Sequence, residues 1–463
     1  MSAFSTLSDQ MNSSLTNEQQ KEICSQLGNV KLKLLYKATT HGFGGKAFHQ
    51  ICDNKSPTVS VGYNKFGYVF GGYTSQPFSQ SGDWVEDDQA FLFCFSKEKL
   101  NKYPVNNPPY AMKMTKNSGP NFGDTLIFVY ENKPEMYSNP RNSKITFFPR
   151  YYKFPAEEMY GNDLKLTECE VYQVEEILKT EHPWRTTVWT SERRNELMEI
   201  IKSYKPLNTS VPQARVLLVG PVGSGKSSFF NSINSVFRGH FTSQAISGKC
   251  PTSLTTLFRS RFLKAGREGE PLPILICDTM GLEDLQGSGC HLDDIISIVK
   301  GHIPDRYQLS PSGPLKPEAH GFRKNPELKD KMHCVTYVLD ASKISIMPQN
   351  MERKLKAVRE MLNKQDITQL VLLTKVDEAC PLVKKDIRNV YKSKYIKDLM
   401  QDAADHIGVP LSCVLPVKNY SEEVELDTNI DILVLTAVVQ MLRFVDNYID
   451  EISDPMSSAA IKD

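Results

Sequence analysis

The stretch Arg215-Val-Leu-Leu-Val-Gly220-Pro-Val-Gly-Ser-Gly225-Lys226-Ser227-Ser228 decides how the chain is read. An apolar run ends in G-x-x-x-x-G-K-S, and the pattern then turns helical over Lys226–Phe237. Strand, glycine-rich loop and helix, in that order, are the context a Walker A phosphate loop requires. Gly220, Gly223 and Gly225 let the backbone curl. The N–H groups through Ser224, Lys226, Ser227 and Ser228 then converge on phosphate oxygens. The helix N-terminus adds its dipole and free donors. Lys226 brings a point charge for the β- and γ-phosphates, and Ser227 offers a hydroxyl to Mg²⁺. Pro221 lacks an N–H but sits ahead of the cradling donors.

Further elements follow in the order a GTPase needs. Asp278-Thr-Met-Gly281 succeeds the apolar run Ile274–Cys277. It fits a carboxylate reaching Mg²⁺ through water, with the Gly281 N–H at the γ-phosphate. Thr374-Lys-Val-Asp377 succeeds Gln369–Leu373. A carboxylate at Asp377 accepts from the N1–H and 2-amino group of guanine. Adenine lacks that pair of donors, so GTP and GDP are expected rather than ATP. Lys375 can lie across the base. Lys418 and Asn419 follow the run Val414–Val417 and fit the loop whose backbone meets the guanine oxygen. Thr252, Thr255 and Thr256 lie between the first helix and Asp278, and Thr252 is the favoured switch threonine for Mg²⁺.

Two positions depart from that pattern. Thr374 stands where a base-reading Asn is usual, which removes amide contacts to the phosphate loop. Leu282 follows Gly281, where a glutamine would orient the attacking water. Glu283 is the nearby candidate catalytic substitute. Hydrolysis is therefore expected to be slow, or dependent on self-association or a protein effector.

The 463 residues suggest two to four domains, and 40% apolar with 24% charged residues marks a globular chain. With 55 basic and 54 acidic residues, no global field favours nucleic acid or an anionic membrane. There is no signal-peptide pattern, and no apolar run reads as a transmembrane span. The ten cysteines are scattered without a C-x-x-C and read as reduced thiols, so a cytoplasmic location is expected. Alternation of strands and helices from 212 to 450 predicts a mostly parallel α/β sheet. Strands are expected at Arg215–Val219, Leu254–Phe262, Ile274–Cys277, Val335–Leu339, Gln369–Leu373 and Val414–Val417. The proline-rich loop 303–328 reads as a functional insertion or mobile segment. Ahead of this domain come a polar arm (1–24), a β-rich domain (25–176) and a helical linker (177–211); a tail (451–463) follows. The β-rich part shows strand patterns at Val30–Tyr36, Thr58–Tyr63, Tyr68–Phe70, Phe91–Phe95, Leu126–Tyr130, Lys144–Phe148 and Cys169–Val174. His41 and His49 lack a metal partner set, and Asp83, Glu86, Asp87 and Asp88 read as an exposed acidic loop.

Residues 25–175 resemble the TLDc domain. The likeness rests on Leu34-Leu-Tyr-Lys37, Phe48-His-Gln-Ile-Cys52, Gly67-Tyr-Val-Phe-Gly-Gly-Tyr-Thr74, Phe91-Leu-Phe93 and Gly119-Pro-Asn-Phe-Gly123. It implies a β-sandwich and a family tied to oxidative-stress tolerance and, in several members, to the vacuolar proton pump. With the phosphate loop added, the chain resembles the interferon-induced protein 44 family. Asp278-Thr-Met-Gly-Leu282, Pro304-Asp-Arg-Tyr-Gln308, Leu372-Leu-Thr-Lys-Val-Asp377 and Val417-Lys-Asn-Tyr-Ser421 carry that likeness. It implies a cytoplasmic protein of the interferon-linked antiviral response. Two functions stay open: a slow GTP-driven switch, and a non-hydrolysing GTP-binding scaffold whose TLDc-like domain binds a protein complex.

Overall fold

The computed structural model describes residues 12–139, 151–242, 245, 257–266, 269–283, 290–310 and 313–453. The chain divides into two units, with the boundary between Ile177 and Leu178.

The first unit is built on a six-stranded sheet in the order Val30–Lys37, Glu168–Glu176, Thr58–Tyr63, Val69–Thr74, Phe91–Ser96, Lys99–Pro104. All neighbours are antiparallel. Both faces are apolar, so both need a cover. One face carries Phe70, Leu92 and Val171 and packs under Phe122, Leu126 and Phe128, with Phe48 and Met159 from two short helices. The other carries Val59, Val61, Phe93 and Tyr172 and packs on Ile23 of the helix Asn17–Leu27. Gly72 is required where the layers meet, because a Cβ there would lie 2.5 Å from the Phe122 ring.

The edge strand Lys99–Pro104 escapes an apolar-pattern reading because it is polar, with lysines and a closing proline. Those residues blunt a sheet edge. The strand expected at Leu126–Tyr130 stops at Ile127, since Val129 and Glu131 take left-handed backbone. The one expected at Lys144–Phe148 lies outside the described residues.

The acidic loop is not wholly exposed: Asp87 is buried. It accepts hydrogen bonds from Thr74 Oγ1 (2.7 Å), the Ser75 amide (2.7 Å) and Ser75 Oγ (2.8 Å), so it staples a strand end. His49 is buried between Asp53 Oδ1 (2.6 Å) and the Thr115 carbonyl (2.7 Å). Among the described residues no group of His, Cys, Asp and Glu forms a metal site. Glu170 is fully buried. It accepts from Lys37 Nζ (2.7 Å), Tyr63 (2.8 Å), Tyr172 (2.5 Å) and the Ser14 amide (2.9 Å).

In the second unit, numbered from its own start, the strands are β1 Ala214–Val219, β2 Arg259–Lys264, β3 Pro271–Asp278, β4 Cys334–Asp340, β5 Thr368–Thr374 and β6 Val414–Pro416. The long helices are α1 Ser191–Ser203, α2 Lys226–Arg238, α3 Leu292–Val299, α4 Gln349–Asn363, α5 Lys394–Ile407 and α6 Thr428–Ser453. The sheet order is β2-β3-β1-β4-β5-β6, parallel except for the antiparallel pair β2-β3. The strands β1, β3, β4 and β5 are near-continuous apolar runs, as burial on both faces demands.

The stretch expected as a helical linker is helical only over α1. Before it, residues 178–189 lie along this same unit. Thr180 and Trp184 donate their amides to Lys392 O (2.8 Å) and Tyr391 O (3.0 Å), and the Arg185 guanidinium reaches Val414 O (2.9 Å). Loop 303–328 is tied back as well. The Leu315 amide donates to Asp294 Oδ1 (2.9 Å), and Phe322 stacks on His302.

Helix α6 is longer than its apolar core pattern suggests. Its 26 residues reach a mean hydropathy of 1.5 over an 18-residue window, enough by length and composition to cross a membrane. Two thirds of that window is buried in the protein, and α6 packs on β1, β4, β5, α1 and α2. Its apolarity is that of a core helix.

Candidate functional site

The C-terminal ends of β1, β3, β4, β5 and β6 converge on one edge of the sheet, where open α/β sheets hold ligands. Between β1 and α2 the phosphate loop turns through Gly223 (φ 73°) and Gly225 (φ 99°). Gly220 is needed for another reason: a Cβ would sit 2.2 Å from Val338 O on β4.

Lys226 opens α2 and is buried. Its ammonium donates to Gly220 O and Pro221 O, both at 2.9 Å, so the charge lies under the loop it serves. Burial pushes Lys226 down to about 8, with Asp278 and Cys290 pulling the other way. Ser227 Oγ donates to Asp278 Oδ2 at 2.6 Å. Asp278 Oδ1 is buried with no hydrogen-bond partner among the described residues. Burial raises the Asp278 carboxyl against the pull of Lys226 and Ser227. A hydroxyl beside a carboxylate with an open oxygen is a hard donor set, which suits Mg²⁺. Thr252, Thr255 and Thr256 lie outside the described residues.

The D-x-x-G segment is laced to the phosphate loop. Leu282 donates its amide to Gly220 O (3.0 Å), and Val222 donates its own to Leu282 O (3.1 Å). Gly281 fits under this ladder, where a Cβ would meet Val222 Cγ2 at 2.6 Å. Leu282 is buried, and the Glu283 carbonyl accepts from the Lys354 ammonium.

At the end of β5, Thr374 is buried, and its hydroxyl lies 2.6 Å from Ser224 O and 3.0 Å from Leu339 O. The tie to the phosphate loop, expected to be lost without the usual Asn, is made by this hydroxyl instead. Asn419 adds a second tie, from its amide to Gly225 O at 3.2 Å. Lys375 takes left-handed backbone (φ 56°), and its ammonium pairs with Asp340 Oδ2 at 2.6 Å. Asp340 was not anticipated. The signal was an acidic residue closing the apolar run of β4. Asp377 lies 3.7 Å from Lys418 Nζ, which also pairs with Glu423 Oε1 at 2.7 Å. Burial raises the Asp377 carboxyl, opposed by Lys418. Burial also works against Glu423, but Lys418 and the Ser421 amide outweigh it and hold that carboxyl at about 2.

The structure thus brings Gly220, Gly223, Ser224, Gly225, Lys226, Ser227, Asp278 and Gly281 to one end of a single edge. Thr374 and Asn419 touch the phosphate loop from the ends of β5 and β6, Lys375, Asp377 and Lys418 stand beyond them, and Ser228 follows Ser227 in α2. Fold and site define a class: a TLDc domain, matched by its family model over residues 4–175, followed by a mostly parallel α/β domain that carries a G-x-x-x-x-G-K-S loop between its first strand and the next helix. The chain is 34% identical over 438 residues to interferon-induced protein 44-like of Homo sapiens, covering 95% of each. It is 31% identical over 444 residues to interferon-induced protein 44 of the same species (95% and 94% covered). The figure for the Mus musculus protein is 30% over 445 residues (96% and 99%). The chain belongs to the interferon-induced protein 44 family. Solved structures that match include a probable GTP-binding protein engB (16% identity, TM-score 0.29, 50% of this chain and 99% of that one). Another is Aquifex aeolicus Era bound to GDP and AlF4⁻ (13%, TM-score 0.26, 50% and 57%).

Proposed function

We propose that the second unit binds guanine nucleotide with Mg²⁺ and acts as a slow GTP-dependent switch. The observation that carries this reading is the buried Lys226 under the phosphate loop, beside a Ser227–Asp278 pair with an open carboxylate oxygen. Ser227 and Asp278 would hold Mg²⁺, which would neutralise phosphate charge. Asp377, beyond Thr374, would read the base. Leu282 supports slow turnover: it is an apolar side chain packed inside, and both its backbone groups are engaged by the phosphate loop. Nothing in it can orient a water. The relatives are named for induction by interferon, and the same link is proposed for this chain.

The test is titration of the purified full chain with fluorescent GTP, GDP and ATP in Mg²⁺, followed by phosphate release on the same sample. Guanine-selective binding with slow release is expected. Equal affinity for ATP would sink the base assignment, and rapid unassisted release would sink the reading of Leu282. Binding with no release at all would favour the scaffold alternative.

A further inference from the structure

Two neighbouring carbonyls of the phosphate loop, those of Ser224 and Gly225, are each held by a side chain from a different strand end. The Thr374 hydroxyl, at the end of β5, reaches Ser224 O at 2.6 Å. The Asn419 amide, after β6, reaches Gly225 O at 3.2 Å. A hydroxyl has one proton to give, whereas a carboxamide has two N–H donors. One asparagine at position 374 could serve both carbonyls; a threonine can serve only one. The two side chains share one space. A Cβ built on Gly225 would lie 2.8 Å from Asn419 Nδ2 and 3.5 Å from both Thr374 Oγ1 and Cγ2. Asn419 Oδ1 is buried there without a hydrogen-bond donor among the described residues.

We propose that Asn419 is the displaced partner of Thr374: the carboxamide missing from the T-K-x-D loop is supplied from the next loop, and the pair positions Gly225 and the start of α2 for the nucleotide. This rests on the guanine-nucleotide reading above. Asn419 acts through the phosphate loop and is a positioning residue. Gly225 O already accepts the first bond of α2, from the Phe229 amide at 2.8 Å, so the amide of Asn419 sets the loop and the helix start together.

The experiment is an exchange of the two side chains in the full-length chain, read by GDP affinity in Mg²⁺ and by thermal melting. Asn419→Ala should weaken GDP roughly five- to tenfold, the worth of one lost hydrogen bond with its geometry. Thr374→Asn alone should also weaken GDP, because two carboxamides crowd Gly225. The double variant Thr374→Asn with Asn419→Ala should return affinity to within about twofold of the unchanged chain. A merely structural role would not produce this rescue. If Asn419→Ala fails to fold, Asn419→Ser, whose hydroxyl is too short to reach Gly225, replaces it. Losses that simply add in the double variant would overturn the proposal. So would GDP affinity indifferent to Asn419→Ala while Lys226→Ala abolishes it, which leaves the nucleotide reading standing. An unchanged chain that binds no guanine nucleotide would overturn both.

Discussion

Raising the pH should loosen nucleotide binding through Lys226 before it harms the fold. In the free protein burial brings this lysine from the ordinary 10.5 to about 8. Bound phosphates supply the anion that burial denies it and return it toward its ordinary value. At pH 7 the free lysine is already charged, and binding needs no proton. At pH 8.5 about three quarters of the free protein holds it neutral, and binding must draw in about three quarters of a proton. Affinity for GDP should therefore fall about fourfold between pH 7 and 8.5, or about 0.8 kcal/mol. Stopping at 8.5 keeps the guanine N1–H intact. Cys290, the neighbouring thiol, is pushed up to about 12 and does not titrate in the window. The stability of the nucleotide-free protein has the opposite slope. Above about 8 the unfolded chain binds more protons than the folded one, so this lysine's contribution to stability rises with pH up to about 10.5. Calorimetry in two buffers of different ionisation enthalpy measures the proton uptake directly. Affinity that does not change from pH 7 to 8.5, or proton release on binding, would refute the reasoning.

Thr374→Val keeps the shape and removes the hydroxyl that meets Ser224 O and Leu339 O. Denaturant unfolding should show a loss of about 1–3 kcal/mol in the second unit, the cost of a stranded buried carbonyl. Gly281→Ala forces a methyl against Val222 and should pry the D-x-x-G segment from the phosphate loop. An overpacking cost of about 1–3 kcal/mol and faster release of fluorescent GDP are expected. In the first unit, Glu170→Ala removes the acceptor shared by two tyrosine hydroxyls and the Lys37 ammonium, which keeps Ser14 Oγ (2.7 Å) and Glu168 Oε2 (3.7 Å). A loss of about 1–3 kcal/mol, read by melting, follows from stranding buried hydroxyl donors. Burial works against the Glu170 carboxyl, but Lys37, Tyr172 and Tyr63 hold it below 4.5. Its contribution is thus complete above its unfolded value and is lost as the pH falls through the folded one, a loss the Glu170→Ala variant should not show.

Much of the second unit was legible because its chemistry is local. Lys226, Asp278, Gly281 and Asp377 each sit at a strand end marked by an apolar run, and the parallel sheet needs such runs. What escaped was cooperation between segments far apart in sequence. The loss inferred at Thr374 took no account of a hydroxyl reaching Ser224, 150 positions away, or of the amide of Asn419. Asp340 looked like a strand's last residue, yet it holds Lys375 by an ion pair only folding creates. In the first unit, Asp87 read as one of several loop acids, because nothing in its neighbours tells that Thr74 and Ser75 will face it. The edge strand Lys99–Pro104 was hidden by the polar residues that protect an edge.

The packing of α6 has a consequence for how the protein is made. This helix covers β1, β4 and β5, and α1 lies against it, with Arg194 paired to the buried Asp431 at 2.5 Å and Tyr204 donating to Asp446 at 2.7 Å. The first and last helices of the unit therefore meet across more than two hundred intervening residues. During synthesis the sheet bearing the phosphate loop waits, with β1, β4 and β5 uncovered on the face that α6 will take, until Thr428 and its successors leave the ribosome. A chain cut just before that residue would still carry every nucleotide motif and have nowhere to bury the strands that position them. Chaperones that hold exposed apolar strands should engage the nascent second unit late, and let go only when its last helix arrives.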